Sequence, residues 1–114
     1  MPDLADRIIQ AALVGTLDTS QLQDELDRVA RALANAADRP GVLLDCTEMT
    51  GYDLAARELF VQWNAAHRES IAGLAVVLHR PMWFAVVATM ALLARQQMRA
   101  FRTSPAANEW LSEL

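Results

Sequence analysis

The chain contains no lysine; all ten of its basic residues are arginine. That excludes Schiff-base chemistry and the Walker phosphate loop, which both depend on a lysine amine. Cysteine is nearly absent too. Cys46 stands alone, so no disulfide framework exists within the chain. Long apolar runs are missing: the longest uncharged stretch, Pro81 to Ala94, is fourteen residues. A membrane-spanning helix needs about 20. The opening residues MPDLADR carry acids and no apolar segment, which predicts no signal peptide and a cytoplasmic protein. Positive charge is not in excess either. The net charge of −4 makes nucleic acid a poor partner.

What is present is ample apolar material. Of 114 residues, 54% are apolar and 21% charged, the balance of one globular domain spanning 1–114. The charge is uneven: residues 1–58 carry a net −6 and residues 59–114 a net +2. Ordinary solvated helix faces account for that, although a dipolar surface can also steer a partner.

The elements alternate along the chain. RIIQAALVGTL (7–17) reads as a strand, and Asp18-Thr19-Ser20 as a turn and helix start. From Gln21 to Ala36, Leu22, Leu26, Val29, Ala30 and Leu33 share one helix face. ADRPG (37–41) reads as a loop. VLLDC (42–46) and GLAVVL (73–78) are continuous apolar runs, the mark of central parallel strands buried on both faces. Between them, Cys46–Tyr52 reads as a loop in which Gly51 allows the turn. Asp53 then caps a second helix carrying Ala56, Leu59, Phe60, Trp63 and Ala66. Pro81 suits the first turn of a third helix. MRAF (98–101) is a last short strand, and Ser104-Pro105 reads as the cap and first residue of a closing helix. The predicted order is β-α-β-α-β-α-β-α, an α/β fold with a four- to five-stranded, mostly parallel sheet. Binding sites in such sheets lie beyond the carboxyl ends of the strands.

These motifs resemble the STAS domain of bacterial anti-sigma factor antagonists. LVGTLDTSQLQDELDRVA (13–30) is similar to that family's strand, turn and first helix; VLLDCTEMTGYDLAARELF (42–60) is similar to its strand, loop and second helix start. Agreement is closer with a divergent branch of small antagonist-like proteins, also grouped with the CRAL-TRIO lipid-carrier superfamily. Its recurring features match Met49–Tyr52, Phe60 and Trp63, Pro81 to Trp83, and Ala107 to Leu111. The resemblance implies a STAS-like fold and a non-enzymatic role in binding. One departure is clear. Antagonists place a phosphorylatable serine just after the residue matching Asp53, whereas Leu54, Ala55 and Ala56 follow here. A phosphate switch in that form is excluded. Thr47 and Thr50 lie nearby, with nothing in the sequence marking either for modification. The usual opening edge strand of STAS domains has no clear counterpart.

No residue pattern calls for catalysis. Asp45, Glu48 and Asp53 resemble a cation cluster at strand ends, but Asp53 is already explained as a cap. His67 and His79 lack metal-ligand spacing, and Cys46 reads as a small buried hydrophobe. No metal or cofactor is expected. The most unusual stretch is PMWFAVVATMALLA, apolar nearly all round. Three readings fit it: a helix packed on the sheet, a homodimer interface through Trp83, Phe84, Val87 and Met90, or the wall of a pocket for a lipid-like molecule. Arg80, with N–H groups from Met82 to Phe84, could meet an anion at its start. The expected site therefore has two lips, Gly51, Tyr52, Asp53 and Leu54 on one and Arg80, Trp83, Phe84 and Val87 on the other. Its expected occupant is a protein partner, a second copy or a small apolar ligand. The alternative is a partner-switching regulator that binds an anti-sigma factor or sensor without being phosphorylated.

Overall fold

The structure is a computed structural model and describes residues 8–36 and 38–114. Arg7, counted in the expected first strand, the opening MPDLADR, and Ala37 of the expected 37–41 loop lie outside the described residues. The elements in chain order are β1 (Ile8–Ala12), β2 (Gly15–Leu17), α1 (Thr19–Ala34), β3 (Gly41–Asp45) and β4 (Met49–Tyr52). They continue with α2 (Leu54–Ala66), β5 (Gly73–Val77), α3 (Met82–Ala94), β6 (Met98–Phe101) and α4 (Ser104–Ser112).

The apolar runs form the main sheet. Its order is β1-β3-β5-β6, and every neighbouring pair is parallel. Side chains alternate along each strand, so the sheet buries two faces. Val42, Leu44, Leu74 and Val76 pack with α1, α2 and α3 on one face. Leu43, Ala75 and Val77 pack with Ala107 and Leu111 of α4 on the other. This double coverage is why β3 and β5 lack polar alternation.

Two expectations are corrected. The segment 7–17 is not one strand: β1 belongs to the main sheet, and β2 pairs in parallel with β4 in a second, two-stranded sheet. The chain changes sheet at Gly15, whose φ of +73° is costly for any residue with a Cβ. Met49–Tyr52 is likewise strand β4, not loop, and Gly51 lies within it opposite Thr16. Gly51 therefore makes no turn.

The helix starts follow the capping chemistry. Asp18 accepts from the Gln21 N–H at 2.8 Å and Asp53 from the Ala56 N–H at 2.7 Å. α4 differs by one residue: Thr103 is the cap, accepting from the Ala106 N–H at 3.3 Å, so Ser104 is the first helical residue. Within α1, Leu22, Leu26 and Val29 are buried as their spacing requires. Among the described residues no helix is long and apolar enough to cross a membrane.

Candidate apolar cleft

A cleft opens where the carboxyl half of the main sheet meets α2, α3 and the small sheet. Leu44, Val76 and Leu78 form its floor, with Cys46 just past the end of β3. Leu17, Met49 and Tyr52 of the small sheet close one side. Ala56, Arg57 and Phe60 of α2 close another, and Trp83, Val86, Val87 and Met90 of α3 a third. The space inside it is small, about 60 Å³. Arg57 is the one charged residue in its wall.

The local sequence explains this lining. Trp83, Val87, Met90 and Ala94 fall on the buried side of α3 at spacings of three and four. Ala56, Phe60 and Trp63 do the same on α2. Tyr52 ends β4 and turns its ring onto Trp83, edge to face, with centroids 5.8 Å apart. The Arg80 guanidinium lies over the Trp83 ring, 5.0 Å from its centroid. Trp83 is thus flanked by Tyr52 and Arg80.

The eight residues of the expected site separate. Tyr52, Trp83 and Val87 line the cleft, and Arg80 stacks on its wall. Phe84 is half-buried against the core but outside the cleft wall. Leu54 is 59% exposed at the start of α2. Asp53 is used in its cap, and Gly51 is held in the small sheet. The N–H groups at the start of α3 are not all free. Those of Trp83 and Phe84 donate to the carbonyls of Arg80 and Pro81, each at 3.1 Å. Nor do the four residues of the expected dimer surface make one outward face. Trp83, Val87 and Met90 are buried in the chain's own core, while Met82, Leu92 and Leu93 point outward.

Sequence reasoning missed Arg57 and Met49. Arg57 directly follows buried Ala56 and lies three residues before Phe60, so it flanks the inward stripe of α2. That position on the amphipathic pattern is the signal available for it.

The polar groups nearby are committed locally. Asp45 accepts from both the backbone N–H and the hydroxyl of Thr47, at 3.0 and 2.7 Å. Thr50 meets Thr16 across the small sheet, hydroxyl to hydroxyl at 3.2 Å. His67 stacks on Trp63 at 4.3 Å, and His79 is exposed. Among the described residues no three His, Cys, Asp or Glu side chains gather as a metal site. Burial, and then the negative charge of Asp45, pushes the Cys46 thiol up to about 12. At neutral pH it is a thiol lining an apolar wall, not a nucleophile.

A family model described as SpoIIAA-like matches residues 8–112, nearly the whole of the described fold. The chain belongs to the SpoIIAA-like family. Its fold is also that of a solved relative, a protein of the DUF3478 family with a SpoIIAA-like fold from Shewanella loihica PV-4. The two are 18% identical and superpose with a TM-score of 0.72, covering 90% of this chain and 82% of that one. No curated protein matches the chain. Membership of the SpoIIAA-like family agrees with the STAS-like reading of the motifs.

Proposed function

We propose that this SpoIIAA-like domain is a non-enzymatic, cytoplasmic binding module whose cleft takes a small apolar ligand. The observation that carries the reading is the apolar wall, built by Leu22 of α1, by α2 and α3, and by two sheets at the carboxyl side of the strands. Of that wall, only Cys46, Tyr52 and Arg57 bear titratable groups, and Cys46 is held as the neutral thiol. The walls thus supply contact area and adaptable methionines, not an acid–base pair. Tyr52, Trp83 and Val87 are the contact residues, with Arg80 supporting Trp83 from outside.

Native mass spectrometry of protein purified without delipidation tests this. Bound mass that organic solvent removes, and that Val87→Trp abolishes by filling the cleft, is the expected result. A clean apo protein that also takes up no added alkyl compound would overturn it.

A second reading is a regulator that binds an anti-sigma factor or sensor protein without phosphorylation. The observation favouring it is Leu54, a large apolar residue 59% exposed at the start of α2. Leu54→Asp should abolish capture of such a partner while leaving the circular dichroism unchanged. Undiminished capture by the variant removes this reading.

A further inference from the structure

The third helix has two apolar sides. Trp83, Val87, Met90 and Ala94 face the core, at spacings of four, three and four. The opposite side is open: Met82 is 74% exposed, Leu92 80% and Leu93 68%, with Ala85, Ala88 and Thr89 exposed between them. No residue from Met82 to Ala94 is charged. A surface helix of a globular domain carries polar residues on its outer side. An uncharged outer side with three large apolar residues calls for a second cover.

The spacing says what kind of cover fits. Met82, Ala85, Thr89 and Leu92 follow one another at intervals of three, four and three. That is the spacing of an a/d seam, which packs against another helix. It also reads the same in both directions, with large residues at the ends and small ones in the middle. Two copies of α3 laid antiparallel about a two-fold axis would set Met82 against Leu92 of the other copy, and Ala85 against Thr89 of the other copy. A two-fold interface demands this kind of self-complementarity. Small residues at the crossing let the two backbones approach closely, and antiparallel packing sets the helix dipoles head to tail.

Polar groups do not obstruct the seam. The Thr89 hydroxyl donates to the Ala85 carbonyl at 3.0 Å, so it brings no unpaired group into a dry contact. The Arg80 guanidinium is drawn over the ring of Trp83, a residue of the core side. Arg95 comes after the seam, where its left-handed backbone, φ +54°, ends the helix.

We propose that the chain forms a two-fold homodimer through the outer side of α3, packed antiparallel on the α3 of a second copy. The helix has 13 residues and is about 20 Å long. One helix pair of that length buries less than the roughly 1,200–2,000 Å² of a standard interface. The dimer is therefore weak, with a Kd on the order of 10–100 µM.

Sedimentation equilibrium from about 5 µM to about 1 mM reads the mass across that range. It should rise from 12.6 kDa towards twice that value. Leu92→Asp and Ala85→Glu should each hold it at the monomer mass throughout. Both positions are exposed, so the variants should fold, which circular dichroism checks. Introduced cysteines read the direction of packing. Under mild oxidation, a mixture of Met82→Cys and Leu92→Cys chains should form the mixed disulfide dimer. Met82→Cys alone should not, because antiparallel packing holds its two copies about 15 Å apart. Cys46 is buried and takes no part. A mass that stays at 12.6 kDa to the top of the range overturns the proposal, as does a dimer that survives both substitutions. Equal cross-linking of Met82→Cys alone overturns the antiparallel seam. A monomer that instead sediments with phosphatidylcholine vesicles overturns the proposal and assigns this side of α3 to a lipid surface.

Discussion

Tyr52 and Trp83 meet edge to face across the mouth of the cleft, their ring planes at 63° and centroids 5.8 Å apart. One ring ends β4 and the other opens α3, so the pair ties the small sheet to the third helix. Aromatic pairs of this geometry contribute about 0.5–1.5 kcal/mol beyond their buried area. A double-mutant cycle of Tyr52→Ala and Trp83→Ala, followed by urea denaturation, should return a coupling in that range. Trp83→Ala alone should cost about 3 kcal/mol or more, because the ring is 9% exposed and leaves a cavity. Strictly additive single effects would mean the two rings do not touch in solution.

The helix caps give a graded series. Asp18→Ala and Asp53→Ala each remove a short bond to an otherwise unpaired N–H, at 2.8 and 2.7 Å. Each should cost about 1 kcal/mol, or about 4 °C in melting temperature for a domain of this size. Thr103→Ala removes a longer bond of 3.3 Å and should cost less. Asp53 stands beside the cleft, so its variant also reports on function. A melting temperature that rises on removing Asp53 would show that its carboxylate is held there at a cost to stability, and would contradict its role as a cap.

The fold was legible where burial on both faces writes itself into the sequence. VLLDC and GLAVVL announced β3 and β5 because central parallel strands need continuous apolar residues, whereas MRAF is an edge strand that carries Arg99. Asp18 and Asp53 announced their helices for the same local reason that Thr103 did not: Ser104 stood next to a proline and looked the better cap. The small sheet was invisible. β2 and β4 are three and four residues long, and Thr16, Thr50 and the two glycines break any apolar alternation. At the site, Trp83 and Val87 stood out on the apolar third helix, and Arg80 by its place just before that helix starts, although its stacking on Trp83 did not. Arg57 did not stand out, since a charge beside an apolar stripe is most often a solvated helix flank. Which side of α3 is covered also escaped the sequence, because a helix apolar all round gives no direction to its burial.

The two glycines of the small sheet should respond oppositely to the same change. Gly15 adopts φ +73°, and an added Cβ would meet nothing within 4 Å. Gly15→Ala therefore tests backbone strain alone, and should cost about 1–2 kcal/mol. Gly51 has ordinary strand geometry, with Thr16 Cγ2 4.0 Å from an added Cβ. Gly51→Ala should be neutral, or stabilising by about 0.5 kcal/mol through lost freedom in the unfolded chain. Denaturation midpoints that move together would contradict the change of sheet at Gly15.

Cys46 makes the protein's stability fall on the alkaline side. Its thiol pKa is pushed up to about 12 from 9.0, first by burial and then by the charge of Asp45. Below pH 9 both folded and unfolded chains hold the proton, and the group contributes nothing to the pH dependence. Above pH 9 the unfolded chain releases the proton and the folded chain keeps it. The unfolded state then binds fewer protons, so stability falls as pH rises. The slope should approach about 1.4 kcal/mol per pH unit until the folded thiol itself ionises near pH 12. Cys46→Ala should flatten that part of the profile, at the expense of a small cavity in the cleft wall. The thiol should also resist disulfide reagents at pH 8 in the native protein and react fully in urea. Rapid reaction of the native thiol at pH 8 would mean that the cleft admits water and reagent to Cys46, and that its wall is not the dry surface an apolar ligand requires.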